Sequence, residues 1–315
     1  MQALIYREFG PPRVLRLEET PPPLAKTGEL LVRVHAASLN PSDLAIVAGR
    51  LGRPELPSTP GRDLAGVVVA PEARRGEEVW AASGPLAQRI PGSHAELVIL
   101  LAELARPKPA SLGMAEAAAA ALAYMTAAAA LLRVARLRPH ETVLITGAAG
   151  AVGGAALHIA RWQGARTIAL DREPPKEGDL RLATAGDWPA RVAEFTGGAG
   201  ADLALDCVGG PLFEPVLQSL GPHGRQVAIA SPSQPRVEFN LVDFYHRNLA
   251  LLGLDTLALD AATCGDLLDT LRPGFESGAL RPPEIARLVP LAQAPDAFAA
   301  LASGHTSGKV VLTMV

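Results

Sequence analysis

One short stretch limits what this chain can fold into more than any other: TGAAGAVGG, residues 146–154. It lies between an apolar run at 143–145 and an amphipathic segment at 155–164 that reads as a helix, and a second apolar run follows that ends in Asp171. Strand, small-residue turn, helix, strand and acidic residue is the order of a dinucleotide-binding site. The pattern is Ala148-x-Gly150-x-x-Gly153 with Gly147 just ahead, and Asp171 stands 18 residues past Gly153. Such a site needs a tight turn at Gly147 and Ala148 and close backbone approach to a pyrophosphate at Gly150. It also needs close helix-to-strand packing at Gly153, so that the positive end of the helix faces the phosphates. The bland alternative is an ordinary turn in a glycine- and alanine-rich chain. Asp171 and the rhythm of the following residues favour the cradle.

That rhythm runs through the middle of the chain. Strand-like runs at 167–171, 203–210, 225–231 and 249–254 alternate with helix-like segments at 155–164, 187–197 and 213–220. Alternation of this kind predicts an α/β fold with a doubly wound parallel Rossmann sheet. The first third reads differently. Runs at 30–38, 63–70 and 77–83 alternate as strands do and are punctuated by Pro/Gly clusters, which predicts an irregular β-rich domain, barrel-like or a sandwich. A long helix is expected over 114–137. The tail carries a helix near 264–278 and a strand at 308–315 that is expected to return to the first domain.

Composition excludes several classes. The net charge is −3, with 29 basic and 32 acidic residues and no Lys/Arg block, so nucleic acid is not expected as a partner. Cys207 and Cys264 form neither a CxxC pair nor a disulfide framework. The uncharged stretch 117–132 falls short of the ~20 apolar residues of a membrane span and reads as a buried helix. The first ten residues carry charges where a secretory leader would be apolar, so the cytoplasm is the expected compartment. The histidines show no ligand spacing, and no Tyr-x-x-x-Lys pair occurs.

Read in order, SLNPSD (38–43), PGRDLAGVV (60–68), GSHAELVIL (92–100), Met125-Thr126-Ala127, the glycine loop, LDCVGG and the terminal GKVVL (308–312) resemble the zinc-free quinone oxidoreductase branch of the medium-chain dehydrogenase/reductase superfamily. The resemblance covers nearly the whole chain. It implies a GroES-like catalytic domain of residues 1–113 and 259–315, a Rossmann domain of 114–258, and a homodimer joined through the edge strand at 249–254. It further implies metal-independent, NAD(P)H-dependent reduction of a small acceptor, a quinone or an α,β-unsaturated carbonyl. Asn40, Tyr124 and Arg62 are then the catalytic candidates; the plainer readings are a turn residue before Pro41 for Asn40, core packing on an alanine-rich helix for Tyr124, and a surface arginine or a partner of Asp43 or Asp63 for Arg62. The cofactor set is Thr126, Gly147, Ala148, Gly150, Ala151, Val152, Gly153, Asp171, Arg172, Val208 and Lys309.

Where zinc alcohol dehydrogenases of this superfamily place a cysteine and a histidine, this chain has Asn40 and Arg62; neither suits Zn²⁺, so no metal is expected. Two departures from the family matter. The paired prolines at 174–175 interrupt the crossover after Asp171, where relatives place a helix. Asp171 suits the ribose hydroxyl of NADH, whereas Arg172 and the family tendency favour NADPH; NADPH is the expected cofactor and NADH the close alternative. The other departure is Leu51, which stands where the enoyl-thioester-reducing branch has its catalytic tyrosine. That activity, and a cofactor-binding redox sensor with little catalysis, are the rival readings.

Overall fold

The computed structural model describes residues 1–304 and 308–314; His305, and Val315 at the end of the expected tail strand, lie outside them. The chain forms two compact units, Met1–Met125 with Thr256–Val315, and Thr126–Asp255.

The second unit carries six parallel strands. Numbered by their order within the unit, Thr142–Thr146, Arg166–Asp171, Leu180–Ala183, Ala201–Asp206, Leu220–Ala228 and Ala250–Gly253 lie in the spatial order 3-2-1-4-5-6. That is the doubly wound order, and its reversal point falls between the first and fourth strands. The apolar runs of the first, second and fourth strands are buried, as the middle of a sheet covered on both faces requires. Leu144, Ile168, Leu170, Trp188, Val192 and Val216 make its core. No helix lies between Asp171 and Leu180, as the two prolines imply. Side chains tie this segment down instead, with Asp179 accepting from the backbone N–H and the hydroxyl of Thr167 at 2.7 and 2.8 Å.

The first unit is built on a seven-stranded sheet, mostly antiparallel, with a small two-stranded sheet beside it in sequence. Its long strand, Glu29–Leu39, pairs along one edge with Asp63–Ala70. Along the other edge it meets Leu97–Leu101 with its first half and Lys309–Thr313 with its second. The tail therefore returns to the first unit, as expected, and does so as a strand in register.

The long helix is Met114–Ala128, extended by a π-helical turn, Ala129–Val134; Arg136, with φ of 52°, ends it short of residue 137. Counted together, these 21 residues are long and apolar enough to cross a membrane, so length does not exclude a span as the sequence reading held. Burial assigns it to the core instead, since 83% of its most apolar window is inside the protein. The division between the two compact units falls within this helix, after Met125, and again between Asp255 and Thr256. The reason is packing. The first half of the helix is fastened to the first unit by Ser38, which donates to the Ala118 carbonyl, and by Tyr124, which donates to the Arg281 carbonyl.

Candidate functional site

The glycine loop sits at the reversal point of the parallel sheet. Gly147 follows the first strand with φ of 63°, a left-handed conformation that favours glycine. The helix Ala151–Trp162 then starts from Gly150, which provides no side-chain cap. Ala149 and Gly150 are exposed, and the first-turn amides begin there. Gly153 is the tightest point. A Cβ at Gly153 would lie 2.2 Å from the Gly147 carbonyl oxygen and 2.7 Å from Ala148 Cα, both backbone atoms that cannot step aside. At Gly150 the nearest atom would be 3.1 Å away. An uncapped, partly exposed helix N-terminus is an anion site by its dipole and its unmet N–H groups. These residues fit a pyrophosphate.

The neighbouring strand ends complete this mouth. Asp171 sits at the tip of the second strand, where its carboxylate accepts from Ala149 N at 2.9 Å and from Arg172 N at 2.7 Å. Arg172 itself is exposed. Val208 lies against the turn: a Cβ on Gly147 would be 3.3 Å from its Cγ2. Sequence reasoning missed Asp206. Fully buried at the end of the fourth strand, it accepts from Thr146 Oγ1 at 2.7 Å and from the amides of Val208 and Gly209 at 3.1 and 2.9 Å, so it fixes both strand ends across the reversal point. An Asp two and three residues ahead of a Val-Gly pair is an Asx-type turn signal that could have marked it. Thr126 is buried on the long helix at the start of this unit.

The other candidates meet in the first unit, and strand register brings them together. Val310 pairs with Leu39, which sets Lys309 opposite Asn40; Ala36 pairs with Ala65, which sets Ser38 opposite Asp63; Asp63 pairs with Ala82, which sets Arg62 opposite Ser83. One row of polar residues thus crosses four adjacent strands at their shared end, and all six are buried. Asp63 accepts from Ser38 N at 2.8 Å, Ser38 Oγ at 2.6 Å and Asn40 Nδ2 at 3.0 Å. Asn40 Nδ2 also donates to the Ser38 carbonyl, and its Oδ1 accepts from Lys309 Nζ at 2.5 Å. Arg62 donates to Ser83 Oγ at 2.5 Å and to Thr256 Oγ1 at 3.1 Å.

Asn40 is held from both sides by the protein. An ammonium on one side and a carboxylate on the other leave a single chemically sensible orientation for its amide, and both its N–H groups are committed within the protein. It offers no donor to a substrate. Asp43, one turn along the helix Pro41–Val47, accepts from Asn40 N at 2.8 Å. Burial, then the neighbouring Asp63, push its carboxyl up to about 7. Burial holds the His94 ring down to about 4, hence neutral, with Nε2 donating to the Ser38 carbonyl at 3.1 Å. Burial also lowers the Lys309 ammonium below the usual lysine range, against the pull of Asp63 and Asp43.

Tyr124 stands where the plainer of its two sequence readings puts it. It is buried in the core with its ring edge on Phe275 at 4.7 Å between centroids, and its hydroxyl donates to the Arg281 carbonyl. A phenol tied to a backbone carbonyl inside the core is a packing group. Lys309, expected among the cofactor residues, lies on the tail strand of the first unit in the Asn40 row.

A doubly wound sheet with a phosphate cradle at its reversal point, in one chain with a second unit built on antiparallel strands, defines a two-unit dinucleotide-dependent dehydrogenase/reductase. Residues 26–110 match the alcohol dehydrogenase GroES-like domain family and residues 184–312 the zinc-binding dehydrogenase family. The chain is 34% identical to a zinc-type alcohol dehydrogenase-like protein of Schizosaccharomyces pombe over 84% of its own length and 81% of that protein's. It is 29% identical to the quinone oxidoreductase of Pongo abelii over 100% of this chain and 98% of the other. Among solved structures, a mycobacterial protein complexed with NADPH superposes with a TM-score of 0.85 at 27% identity, covering 99% of this chain and 100% of that one. The chain belongs to the medium-chain dehydrogenase/reductase superfamily, in its quinone oxidoreductase branch, and is an oxidoreductase of the nicotinamide-dependent kind.

Proposed function

We propose that this protein reduces a small quinone or α,β-unsaturated carbonyl without a metal. The nicotinamide dinucleotide supplies the hydride when bound. Gly147, Ala148, Gly150, Ala151, Val152 and Gly153 hold its pyrophosphate through backbone amides, with Asp206 and Val208 keeping the mouth in shape. The observation that carries the reading is the Gly153 contact: this loop is folded as tightly as backbone permits, with nothing capping the helix end it presents.

The donor chemistry of the first unit supports metal independence. Both oxygens of Asp63 are engaged by Ser38 and Asn40, His94 Nε2 is engaged by Ser38, and an arginine occupies position 62. Among the described residues no group of three His, Cys, Asp or Glu side chains is arranged to hold an ion. A guanidinium and an ammonium in one buried row repel a dication.

Between the cofactors, the resemblance implies NADPH, yet one observation favours NADH. Two backbone amides fix the Asp171 carboxylate at the tip of its strand, where it suits a ribose hydroxyl and repels a 2′-phosphate. Among the described residues the strand Ala250–Gly253 ends the parallel sheet with an unpaired edge, which supports a homodimer formed there. Steady-state oxidation of NADH and NADPH against quinones, enones and enoyl thioesters, with and without chelator, tests the reading. Quinone or enone turnover indifferent to chelator is the expected result. Chelator-sensitive alcohol oxidation, or faster turnover of enoyl thioesters, overturns it.

A further inference from the structure

The turn that follows the fourth strand of the second unit is held from two sides. Gly209 and Gly210 are both left-handed, with φ of 67° and 57°, a pair of conformations that side chains resist. The three successive N–H groups of Val208, Gly209 and Gly210 all have side-chain acceptors. Asp206 Oδ1 takes the first two at 3.1 and 2.9 Å, and Ser231 Oγ, from the turn after the fifth strand, takes the third at 3.1 Å. Ser231 Oγ in turn donates to the Gln234 carbonyl. The fit is close: a Cβ on Gly209 would lie 2.6 Å from Ser231 Oγ and 2.7 Å from the Ala230 carbonyl oxygen.

Asp206 reaches further than this turn. Its Oδ1 also accepts from Thr146 Oγ1 at 2.7 Å, and that hydroxyl accepts from Cys207 N at 2.9 Å, so the last residue of the first strand joins the same network one position before Gly147. Among the described residues Oδ2 receives one longer bond, from Gln226 Nε2 at 3.3 Å. Four neutral donors thus compensate the buried carboxylate, and three of them converge on a single oxygen. What the turn uses is therefore an acceptor atom at a fixed place, not the charge. On the same buried amide of Gln226, Oε1 has no hydrogen-bond partner among the described residues.

We propose that Asp206 and Ser231 are positioning residues that hold the 208–210 turn in shape for the half of the dinucleotide beyond the reversal point, Asp206 acting through Oδ1 as an acceptor. This rests on the dinucleotide reading above. Asp171 marks the adenosine side at the tip of the second strand, and the glycine loop takes the pyrophosphate. A dinucleotide that crosses the reversal point then continues over the ends of the fourth and fifth strands. Those ends carry the two turns that Ser231 joins, all within the second unit. Val208 links the held turn to the cradle, since its Cγ2 would stand 3.3 Å from a Cβ on Gly147. Asp206 is fully buried and Ser231 has given its one O–H to Gln234, so both act through the turn and not on the ligand. A turn ordered in advance spares binding the cost of ordering it.

Two ligands separate positioning from folding: the reduced dinucleotide, and the matching ADP-ribose, 2′-phosphorylated for NADPH, which lacks the nicotinamide. Both are titrated by calorimetry into the full protein, and amide hydrogen exchange is followed without ligand. Ser231→Ala lets the Gly210 N–H turn to water. Exchange at that amide is expected to rise, and the dinucleotide Kd to rise about tenfold, while the ADP-ribose Kd stays within about threefold. Asp206→Ala is expected to release the Val208 and Gly209 amides and to weaken the dinucleotide by more than about tenfold. Asp206→Asn keeps an oxygen at Oδ1, and the N–H it brings can be met by Gln226 Oε1 once that amide turns over, so the dinucleotide Kd is expected to stay within about threefold of the parent. Where Asp206→Ala does not fold, the other two variants decide. A dinucleotide Kd unchanged in Ser231→Ala, equal weakening of both ligands there, or a loss of about tenfold or more in Asp206→Asn overturns the assignment and leaves the dinucleotide reading intact. No binding of either ligand by the unsubstituted protein overturns both.

Discussion

Three glycines at and just inside the start of one helix allow folding to be tested separately from dinucleotide binding. At Gly154 an added Cβ would lie 3.8 Å from its nearest neighbour, the Ala148 carbonyl oxygen, which is ordinary contact. Gly154→Ala should therefore gain the usual helix-interior difference of about 0.5–1 kcal/mol. At Gly153 the same methyl group would stand 2.2 Å from Gly147 O and 2.7 Å from Ala148 Cα. Ordinary contact begins near 3.4 Å, so turn and helix must part by about 1 Å, at an overpacking cost of roughly 1–3 kcal/mol or more. Gly153→Ala should lower the melting temperature and abolish dinucleotide binding together. Gly150 is the informative position. Its φ of −77° and ψ of 167° suit alanine, and the nearest atom would be 3.1 Å away, so the fold should survive within about 1 kcal/mol. The methyl group, however, projects at the uncapped mouth of the helix. Thermal unfolding with and without dinucleotide reads both effects, because ligand at 100 times its Kd stabilises by about 2.7 kcal/mol. Gly150→Ala should keep the cofactor-free melting temperature and lose the ligand-induced rise. If Gly150→Ala keeps that rise undiminished and Gly153→Ala melts like the parent, the loop is not a phosphate cradle.

Three further outcomes are expected. Asp171→Ser should move the ratio of NADH to NADPH dissociation constants at least tenfold toward NADPH, about 1.4 kcal/mol, as titrated by cofactor fluorescence; an unchanged ratio removes Asp171 as the discriminator. Asp43 is protonated in the folded protein up to about pH 7 but ionises near 3.8 when exposed, so the folded state binds more protons across that window and stability falls as pH rises through it. Asp43→Asn should remove this slope, worth up to about 1.4 kcal/mol per pH unit, from denaturant-unfolding free energies measured between pH 4 and 7; His94, held neutral down to about pH 4, contributes the opposite slope in both proteins. Sedimentation equilibrium should give twice the chain mass, and a charge introduced at Leu251 on the edge strand should halve it.

Much of this protein is written in stretches of ten or fifteen residues. The strand-turn-helix at 142–162, the helix-free passage after Asp171 and the apolar edge strand were all legible, because turn chemistry, proline geometry and hydrophobic period act between near neighbours in the chain. Tertiary structure alone decided the rest. Lys309 meets Asn40 because two strands 269 residues apart in sequence settle into one antiparallel register, and a slip of one residue would turn the ammonium to the other face. For Tyr124 the alanine-rich helix already suggested core packing, but its neighbours, Phe275 and the Arg281 carbonyl, come from a distant part of the chain. Local sequence thus determined the tight strand-turn-helix, whereas long-range strand pairing decided which polar side chains meet in one buried row, since register is set by burial of whole strand faces and not by any single residue on them.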